Sequence, residues 1–266
     1  CRWCHNPETQ DFSAEPMRNP DRCSGCGRCA ELCPEHAISI NDGGISVTDR
    51  DKCVRCGECV DECYNEARTI SGRAYGIPEL IKTLEKDKMY WEESGGEVMA
   101  QDMDYVVELA KRLHSKGYSV YIDTCGFAPY ENYEKILPYA DVFLYDIKAI
   151  NDDVHRSNTR VSNKLILDNL AKLGRAGARI YIRMPLIAGL NDSEEDMLKV
   201  IAFLRDNGIP VLQLNLLPYH ELGQDKLEKL GKARHDYGFN PPSKQHLNEL
   251  VQLFNQNGYN NTKIGG

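Results

Sequence analysis

Residues 162–185 read SNKLILDNLAKLGRAGARIYIRMP, in which a helical pattern is followed at once by a strand pattern. Leucines recur along one side of the first half, and Gly177 ends the helix. The run ARIYIRMP that follows is almost continuously apolar up to Arg183. A buried strand that directly follows an amphipathic helix is typical of a parallel sheet with helices over its faces.

The same order of helix and strand recurs on both sides of this stretch. The other segments are helices at 103–114, 193–206 and 243–257 and apolar strands at 120–126, 142–148 and 210–218. Successive units of this kind favour an α/β fold, and a full or partial barrel rather than two packed antiparallel sheets.

The cysteines lie in a different part of the chain. Ten of the 11 fall within residues 1–63, and residues 23–38 and 53–68 align at an offset of 30, cysteine on cysteine. This is an internal duplication. Residues 39–52 connect the two copies, and Asp42-Gly43-Gly44 predicts a hairpin there.

Each copy carries C-x2-C-x2-C-x3-C, the bacterial ferredoxin pattern, in which three thiolates bind one [4Fe–4S] cluster and the fourth binds the other. Gly27 and Gly57 keep the two loops small. Pro34 follows the fourth cysteine of the first copy, whereas Tyr64 replaces proline in the second. Structural zinc is the less favoured alternative, because it usually takes two separated C-x2-C pairs. The two expected ligand sets are Cys23, Cys26, Cys29 and Cys63, and Cys53, Cys56, Cys59 and Cys33.

Composition excludes several classes of protein. The 266 residues suffice for one barrel with a small insert, and the net charge of −8 argues against a nucleic-acid-binding surface. No apolar run approaches the ~18 residues that cross a bilayer, so no membrane partner is expected. An odd number of crowded cysteines with no visible export signal predicts a reducing, cytoplasmic location.

The opening CRWC holds Cys1 and Cys4, an incomplete ligand set that by itself is also compatible with a redox or zinc fragment. A further cysteine before Cys1 would give C-x3-C-x-aromatic-C. That run resembles the loop of radical S-adenosylmethionine (SAM) enzymes, in which three cysteines hold a [4Fe–4S] cluster with one iron open to SAM. We therefore expect a segment to be missing before Cys1. Another is expected near residues 91–98, where two predicted helices leave no room for a strand.

Six further motifs occur in a fixed order: SGGE at 94–97, DTCG at 123–126, YDIK at 145–148, IRMPLIAGLND at 182–192, LLPYH at 216–220 and a terminal IGG. Together they resemble the glycyl radical enzyme activating enzymes that carry a two-cluster ferredoxin-like insert. The resemblance covers essentially the whole chain.

The resemblance implies a partial (β/α)6 TIM-like barrel that starts at residues 1–15, is interrupted by the insert at 16–72 and resumes over 73–266. It also implies an oxygen-sensitive enzyme that cleaves SAM reductively to methionine and a 5′-deoxyadenosyl radical. That radical removes hydrogen from a backbone glycine of a partner enzyme. A flavodoxin or ferredoxin would supply electrons through the two auxiliary clusters, for three [4Fe–4S] clusters in all.

The resemblance assigns site residues as well. Cys1 and Cys4 would bind the SAM cluster, and Lys148 and His220 are the catalytic candidates. Asp123, Thr124 and Asp146 would lie near the SAM carboxylate and share a monovalent cation. The full set for SAM is Trp3, His5, Gly95, Gly96, Glu97, Asp123, Thr124, Asp146, Lys148, Arg183 and His220.

Less specific interpretations stay open for these residues. The charges are compatible with a structural ion pair, Gly95 and Gly96 with a plain turn, Trp3 with ordinary core, and Cys125 is expected to be structural. Two alternative functions also remain: a ferredoxin-type electron-transfer protein, and a radical SAM enzyme that modifies a different protein substrate.

Overall fold

The computed structural model of the protein describes residues 1–9, 13–72, 74–86, 98–234 and 236–266. The predicted turn with Gly95, Gly96 and Glu97 lies outside the described residues, as does the junction at 91–97 where chain was expected to be missing.

Strands and helices alternate through most of the described residues. The strands are β1 (Glu15–Arg18), β2 (Ile38–Ile40), β3 (Ser46–Thr48), β4 (Arg68–Ser71), β5 (Tyr121–Thr124), β6 (Val142–Asp146), β7 (Ile180–Leu186), β8 (Val211–Pro218) and β9 (Thr262–Ile264). The helices are α1 (Arg28–Glu31), α2 (Glu58–Asp61), α3 (Ile77–Lys86), α4 (Met103–Ser115), α5 (Tyr130–Ile136), α6 (Asp152–Thr159), α7 (Lys164–Arg175), α8 (Glu194–Asp206), α9 (Leu222–Lys229) and α10 (Lys244–Gln256).

The chain forms two compact units. The barrel unit comprises Cys1–Arg2, Gly76–His220 and Tyr237–Gly266. The cluster unit comprises Trp3–Tyr75 and Glu221–Asp236, so it takes in a segment from the C-terminal half of the chain.

In the barrel unit, the described residues form a five-stranded parallel sheet in the order β5-β6-β7-β8-β9. Sheet order follows chain order, and helices stand between successive strands, as in a partial TIM-like barrel. The predicted α/β class is confirmed. Within the described ranges, no helix has the length and apolar character needed to cross a membrane.

The central strand β7 shows how this sheet separates core from site. Ile180, Ile182 and Leu186 are fully buried, whereas the alternate residue Arg183 is only half-buried. The buried side chains pack into the same core as Leu170 and Leu173 of α7, each 0% exposed. Full burial of one such leucine contributes about 2 kcal/mol, so the apolar stripe holds α7 on the sheet.

The C-terminal end of α7 follows from its sequence. Gly177 lies two residues beyond the helix with a φ of 76°, a left-handed conformation that glycine adopts without strain. The backbone N–H of Ala178 then donates to the Leu173 carbonyl at 3.1 Å, and β7 begins two residues later. The glycine thus sets the helix-to-strand turn that the sequence predicts.

The cluster unit is built around the duplication. Strands β1 and β4 pair antiparallel, and β2 and β3 form the predicted hairpin around Asp42-Gly43-Gly44. The short helices α1 and α2 each start after a glycine with positive φ, 80° at Gly27 and 90° at Gly57. Equivalent glycines therefore turn the chain in the same way in both copies.

Candidate functional site

Charged side chains from three adjacent strands of the barrel unit form one network. Arg183 of β7 donates through Nη1 to Asp123 Oδ2 of β5 at 2.8 Å and through Nη2 to Asp123 Oδ1. Its Nε donates to Asp146 Oδ1 of β6 at 2.8 Å, and Lys148 Nζ donates to Asp146 Oδ2 at 3.0 Å. One guanidinium therefore bridges both carboxylates.

The network lies at the end of the sheet where (β/α) barrels build their sites. Asp123 and Asp146 are in the last two positions of β5 and β6, and the parallel register pairs Asp146 with Arg183. The side chains keep 14–20% exposure, so the network is not sealed from solvent.

The two carboxylates differ in their electrostatics. Burial raises the pKa of Asp123, and its pairing with Arg183 only partly offsets this. Burial also acts on Asp146, but Lys148 and Arg183 outweigh it and lower the pKa of that carboxyl. Asp146 is thus held ionised by two cations, whereas Asp123 shares one of them.

Two carboxylates and two cations give this network a balanced charge. Such a set offers acceptors for an ammonium group and donors for a carboxylate group. It suits a zwitterionic ligand better than a simple anion. The methionine part of SAM is a zwitterion of this kind, so the residues present fit that cofactor.

Thr124 does not join Asp123 in this network. Its side chain is 1% exposed, and its hydroxyl lies 2.9 Å from the Tyr133 hydroxyl and accepts the Gly126 N–H at 3.0 Å. Successive residues of a strand point to opposite faces, so Thr124 faces the helices when Asp123 faces the site.

The glycine of the DTCG motif has a packing role. Gly126 has a φ of 81°, and a Cβ there would overlap the Tyr145 hydroxyl. That hydroxyl donates to the Ile166 carbonyl at 2.6 Å. Asn169, fully buried, donates to the Gly126 and Ala128 carbonyls at 2.9 and 2.8 Å. This part of the motif therefore fixes the loop after β5.

Asn191 is a site residue to which sequence reasoning assigned no role. It is 4% exposed, and its Nδ2 donates to the Lys148 carbonyl at 2.7 Å and the Pro185 carbonyl at 2.6 Å. Its Oδ1 accepts the Ile187 N–H at 2.8 Å. Asn191 thereby ties the loop after β7 to the loop after β6, which carries Lys148. The sequence feature that could have identified this residue is a polar pair, Asn191 and Asp192, directly after an apolar stretch.

The remaining predicted SAM residues are distributed over both units. His220 is exposed, two residues beyond β8 in the barrel unit, which also contains the exposed Cys1. Trp3, 4% exposed, and the half-buried Cys4 and His5 belong to the cluster unit.

A segment far along the chain contacts the loop after Cys4 within the cluster unit. A Cβ on Gly223 of α9 would overlap the Cys4 carbonyl oxygen. One turn later, Lys226 Nζ donates to Asn6 Oδ1 and Glu8 Oε1, each at 2.6 Å. Helix α9 therefore braces the loop that begins with the second cysteine of CRWC.

One predicted ligand set of the duplication surrounds a single cavity. Cys33 of the first copy and Cys53, Cys56 and Cys59 of the second line a space of about 360 Å³, including its open mouth. The Ala37 N–H donates to Cys33 Sγ at 3.3 Å. No cysteine of the described residues forms a disulfide, so these side chains are available as ligands.

The other predicted set includes a thiol prepared for ionisation. Burial raises the pKa of Cys23, but the backbone N–H groups of Ser46 and Gly25 outweigh it, and the pKa lies below its ordinary value. The Ser46 N–H lies 3.4 Å from Cys23 Sγ. N–H groups directed at sulfur favour the thiolate that binds iron, so the residues fit an iron–sulfur cluster.

Comparison with known proteins decides the family. Residues 61–201 match the radical SAM superfamily, and residues 15–64 match a 4Fe-4S dicluster domain. The chain is 46% identical to the trans-4-hydroxy-L-proline dehydratase activating enzyme of Clostridioides difficile, over 100% of this chain and 90% of that protein. It is 36% identical to the benzylsuccinate synthase activating enzyme of Thauera aromatica, over 88% of this chain and 74% of the other. The chain belongs to the glycyl radical enzyme activating enzymes.

A solved structure supports the same conclusion. A domain of the pyruvate-formate lyase-activating enzyme from Bacteroides vulgatus ATCC 8482 superimposes with a TM-score of 0.55 at 26% identity. The match covers 65% of this activating enzyme and 96% of that domain.

This activating enzyme therefore uses SAM and iron–sulfur clusters to generate a glycyl radical on a partner enzyme. Both alternative functions, a pure electron carrier and a modifier of another protein class, are set aside. The dicluster match likewise replaces the zinc interpretation of the cysteine repeats.

Proposed function

We propose that this activating enzyme generates the glycyl radical of a dehydratase that acts on a hydroxylated proline. The observation that carries the proposal is its 46% identity, along the whole chain, to the activating enzyme of trans-4-hydroxy-L-proline dehydratase. Relatives named for other partners, such as those for choline trimethylamine-lyase and isethionate sulfite-lyase, are 31–36% identical. Closer identity over a whole activating enzyme favours a related partner surface.

The experiment is an anaerobic activation assay with two partners. Purified trans-4-hydroxy-L-proline dehydratase and benzylsuccinate synthase would each be mixed with the reconstituted protein, SAM and a low-potential reductant. We expect a glycyl radical signal in electron paramagnetic resonance (EPR) on the dehydratase and none on the synthase. If SAM is cleaved but the dehydratase gains no radical, the partner assignment is wrong while the family membership stands.

The proposed SAM site uses the charged network of the barrel unit. Lys148 and Arg183 would donate to the SAM carboxylate, and His220 would contact SAM from the end of β8. The Arg183 guanidinium bridges Asp123 and Asp146, so the monovalent cation we propose would share these carboxylates with it. The predicted contacts of Gly95, Gly96, Glu97, Trp3 and His5 remain part of this proposal, whereas the buried Thr124 side chain is left out of it.

The proposed cofactor content is three [4Fe–4S] clusters. Cys1 and Cys4 would bind the SAM cluster, and the two duplicated sets would bind auxiliary clusters that accept electrons from a flavodoxin or ferredoxin. When bound, the clusters supply the electron for reductive cleavage of SAM. Lys148, Arg183 and Asp146 would orient the zwitterionic end of SAM, and the buried Asn191 holds the loop that carries Lys148.

The cluster proposal is tested by counting iron and 5′-deoxyadenosine in one preparation. We expect about twelve irons per chain, four for each cubane. The double variant Cys1→Ala/Cys4→Ala should retain about eight irons and form no 5′-deoxyadenosine. Loss of all iron from this variant would contradict separate auxiliary sites.

A further inference from the structure

Arg68 of β4 is a buried arginine in the cluster unit with an incomplete set of partners. Its residue exposure is 2%, and Nη1 donates to Thr48 Oγ1 at 3.0 Å. Among the described residues, Nε and Nη2 have no hydrogen-bond partner, and no carboxylate forms an ion pair with this guanidinium. Arginine stays charged in proteins, so a buried guanidinium without a counter-charge is costly.

Packing alone does not explain a cation at this position. At the offset of 30, Ile38 of the first copy is the sequence equivalent of Arg68 of the second. Ile38 is 8% exposed and lines the cavity of Cys33, Cys53, Cys56 and Cys59. An apolar side chain therefore occupies the equivalent position in the first copy.

The duplication also locates Arg68 with respect to the ligands. Because Ile38 lies beside one ligand set, the duplication predicts that its counterpart Arg68 lies beside the other, formed by Cys23, Cys26, Cys29 and Cys63. Its guanidinium also reaches the set of Cys33, Cys53, Cys56 and Cys59, because Nη1 is 3.7 Å from Cys59 Sγ. Thr48, which accepts from the same Nη1, lines that cavity too. Arg68 thus lies between the two ligand sets.

The neighbouring arginines of the same unit already have a carboxylate partner. Arg50 and Arg55 both pair with the buried Glu15, at 3.8 and 3.5 Å. Arg68 differs from them in having no carboxylate partner within the described residues, while Cys59 Sγ lies 3.7 Å from its Nη1. The chemistry that would complete its surroundings is an anionic iron–sulfur centre.

We propose that Arg68 is the internal counter-ion shared by the two auxiliary clusters, and that its charge raises the reduction potential of both. The proposal rests on the two-cluster assignment made above. Four thiolates outweigh the positive charge of a [4Fe–4S] core, and reduction by one electron from an external low-potential donor adds a further negative charge. A fixed cation in a poorly solvated site stabilises the reduced form more than the oxidised form.

Arg68 is therefore a positioning residue for electron transfer, and its measurable property is a potential. The test uses full-length, cluster-reconstituted protein in the Cys1→Ala/Cys4→Ala background, so that EPR reports on the auxiliary clusters only. Redox titration with dithionite or titanium(III) citrate would compare Arg68→Met, which keeps the length without the charge, with Arg68→Lys. Arg22→Met is the control, because Arg22 is exposed and paired with Glu66 at 3.2 Å.

We expect the midpoint potentials of both clusters to move to more negative values in Arg68→Met, to stay close to the parent in Arg68→Lys, and to be unchanged in Arg22→Met. Full iron content with unchanged potentials in Arg68→Met would overturn the proposal.

If Arg68→Met does not assemble its clusters, iron content replaces the midpoint potential as the readout. Retention of iron by Arg68→Lys but not by Arg68→Met would support a requirement for charge. Loss of iron from both would mean that the shape of arginine matters, and the counter-ion role would be wrong. Fewer than about eight irons in the parent itself would instead overturn the two-cluster assignment.

Discussion

The side-chain amide of Asn191 donates to the backbone carbonyl of Lys148 at 2.7 Å, which links the loop after β7 to the loop after β6. Lys148 in turn pairs with Asp146 at 3.0 Å. The position of a proposed SAM contact is thus set by a buried residue that lies outside the charged network.

Asn191→Ala should weaken SAM binding about tenfold, since each lost hydrogen bond contributes about 1 kcal/mol and the Lys148 loop would be released. Isothermal titration of SAM into the reconstituted protein measures this. Asn207→Ala is the matched control, because its side chain also donates to a carbonyl, that of Phe203 at 2.9 Å, at the end of α8. Equal SAM affinity in both variants would show that Asn191 does not position Lys148.

Variants of the charged network can distinguish a structural ion pair from a SAM-binding site. Arg183→Gln leaves Asp123 and Asp146 without their shared cation and should cost about 3 kcal/mol of unfolding free energy. The double variant Asp123→Asn/Arg183→Gln removes a charge of each sign and should recover much of that stability. If the network binds SAM, neither variant should bind it. Recovery of SAM affinity together with stability would support a purely structural pair.

Acid should destabilise the protein through Asp146. Its pKa in the folded state is lowered from an ordinary value of 3.8, so its stabilising contribution is complete above that pH and is lost as the pH falls through the lower folded value. Asp146→Asn should therefore show a smaller loss of unfolding free energy below pH 3.8 than the wild type. Denaturant unfolding at several pH values measures it. An equal slope in Asp146→Asn and in the wild type would contradict the assignment.

Gly223 should matter for the cluster at the opening cysteines. A Cβ there would overlap the Cys4 carbonyl, so Gly223→Ala should displace α9 from the loop after Cys4. We expect iron content to fall from about twelve to about eight per chain, with the auxiliary clusters retained. Gly76→Ala is the control, because no atom lies within 4 Å of a Cβ built at that position. Unchanged iron in Gly223→Ala would mean that the loop does not depend on α9.

Patterns local in sequence determined much of this fold. Apolar strands after amphipathic helices predicted the parallel sheet, and Gly177 marked the turn between α7 and β7. The Asp42-Gly43-Gly44 turn predicted the hairpin of β2 and β3. Each of these features depends on residues a few positions apart, for which backbone preference and periodicity are sufficient physical causes.

Strand alternation would have corrected one expectation. Thr124 follows Asp123 in β5, so the two side chains face opposite sides of the sheet, and the Thr124 hydroxyl bonds to Tyr133 and Gly126 in the core. Treating the DTCG motif as one unit assigned both residues to the same site although their side chains point in opposite directions.

The sequence by itself determined the class of fold, the duplicated cysteine pattern and the family to which its ordered motifs belong. Only the tertiary structure decided that Arg183 bridges Asp123 and Asp146, that Gly223 contacts Cys4, and that Arg68 reaches Cys59 where its counterpart Ile38 is apolar. The physical reason is that these contacts depend on side-chain direction and on packing between distant segments, which no local periodicity encodes.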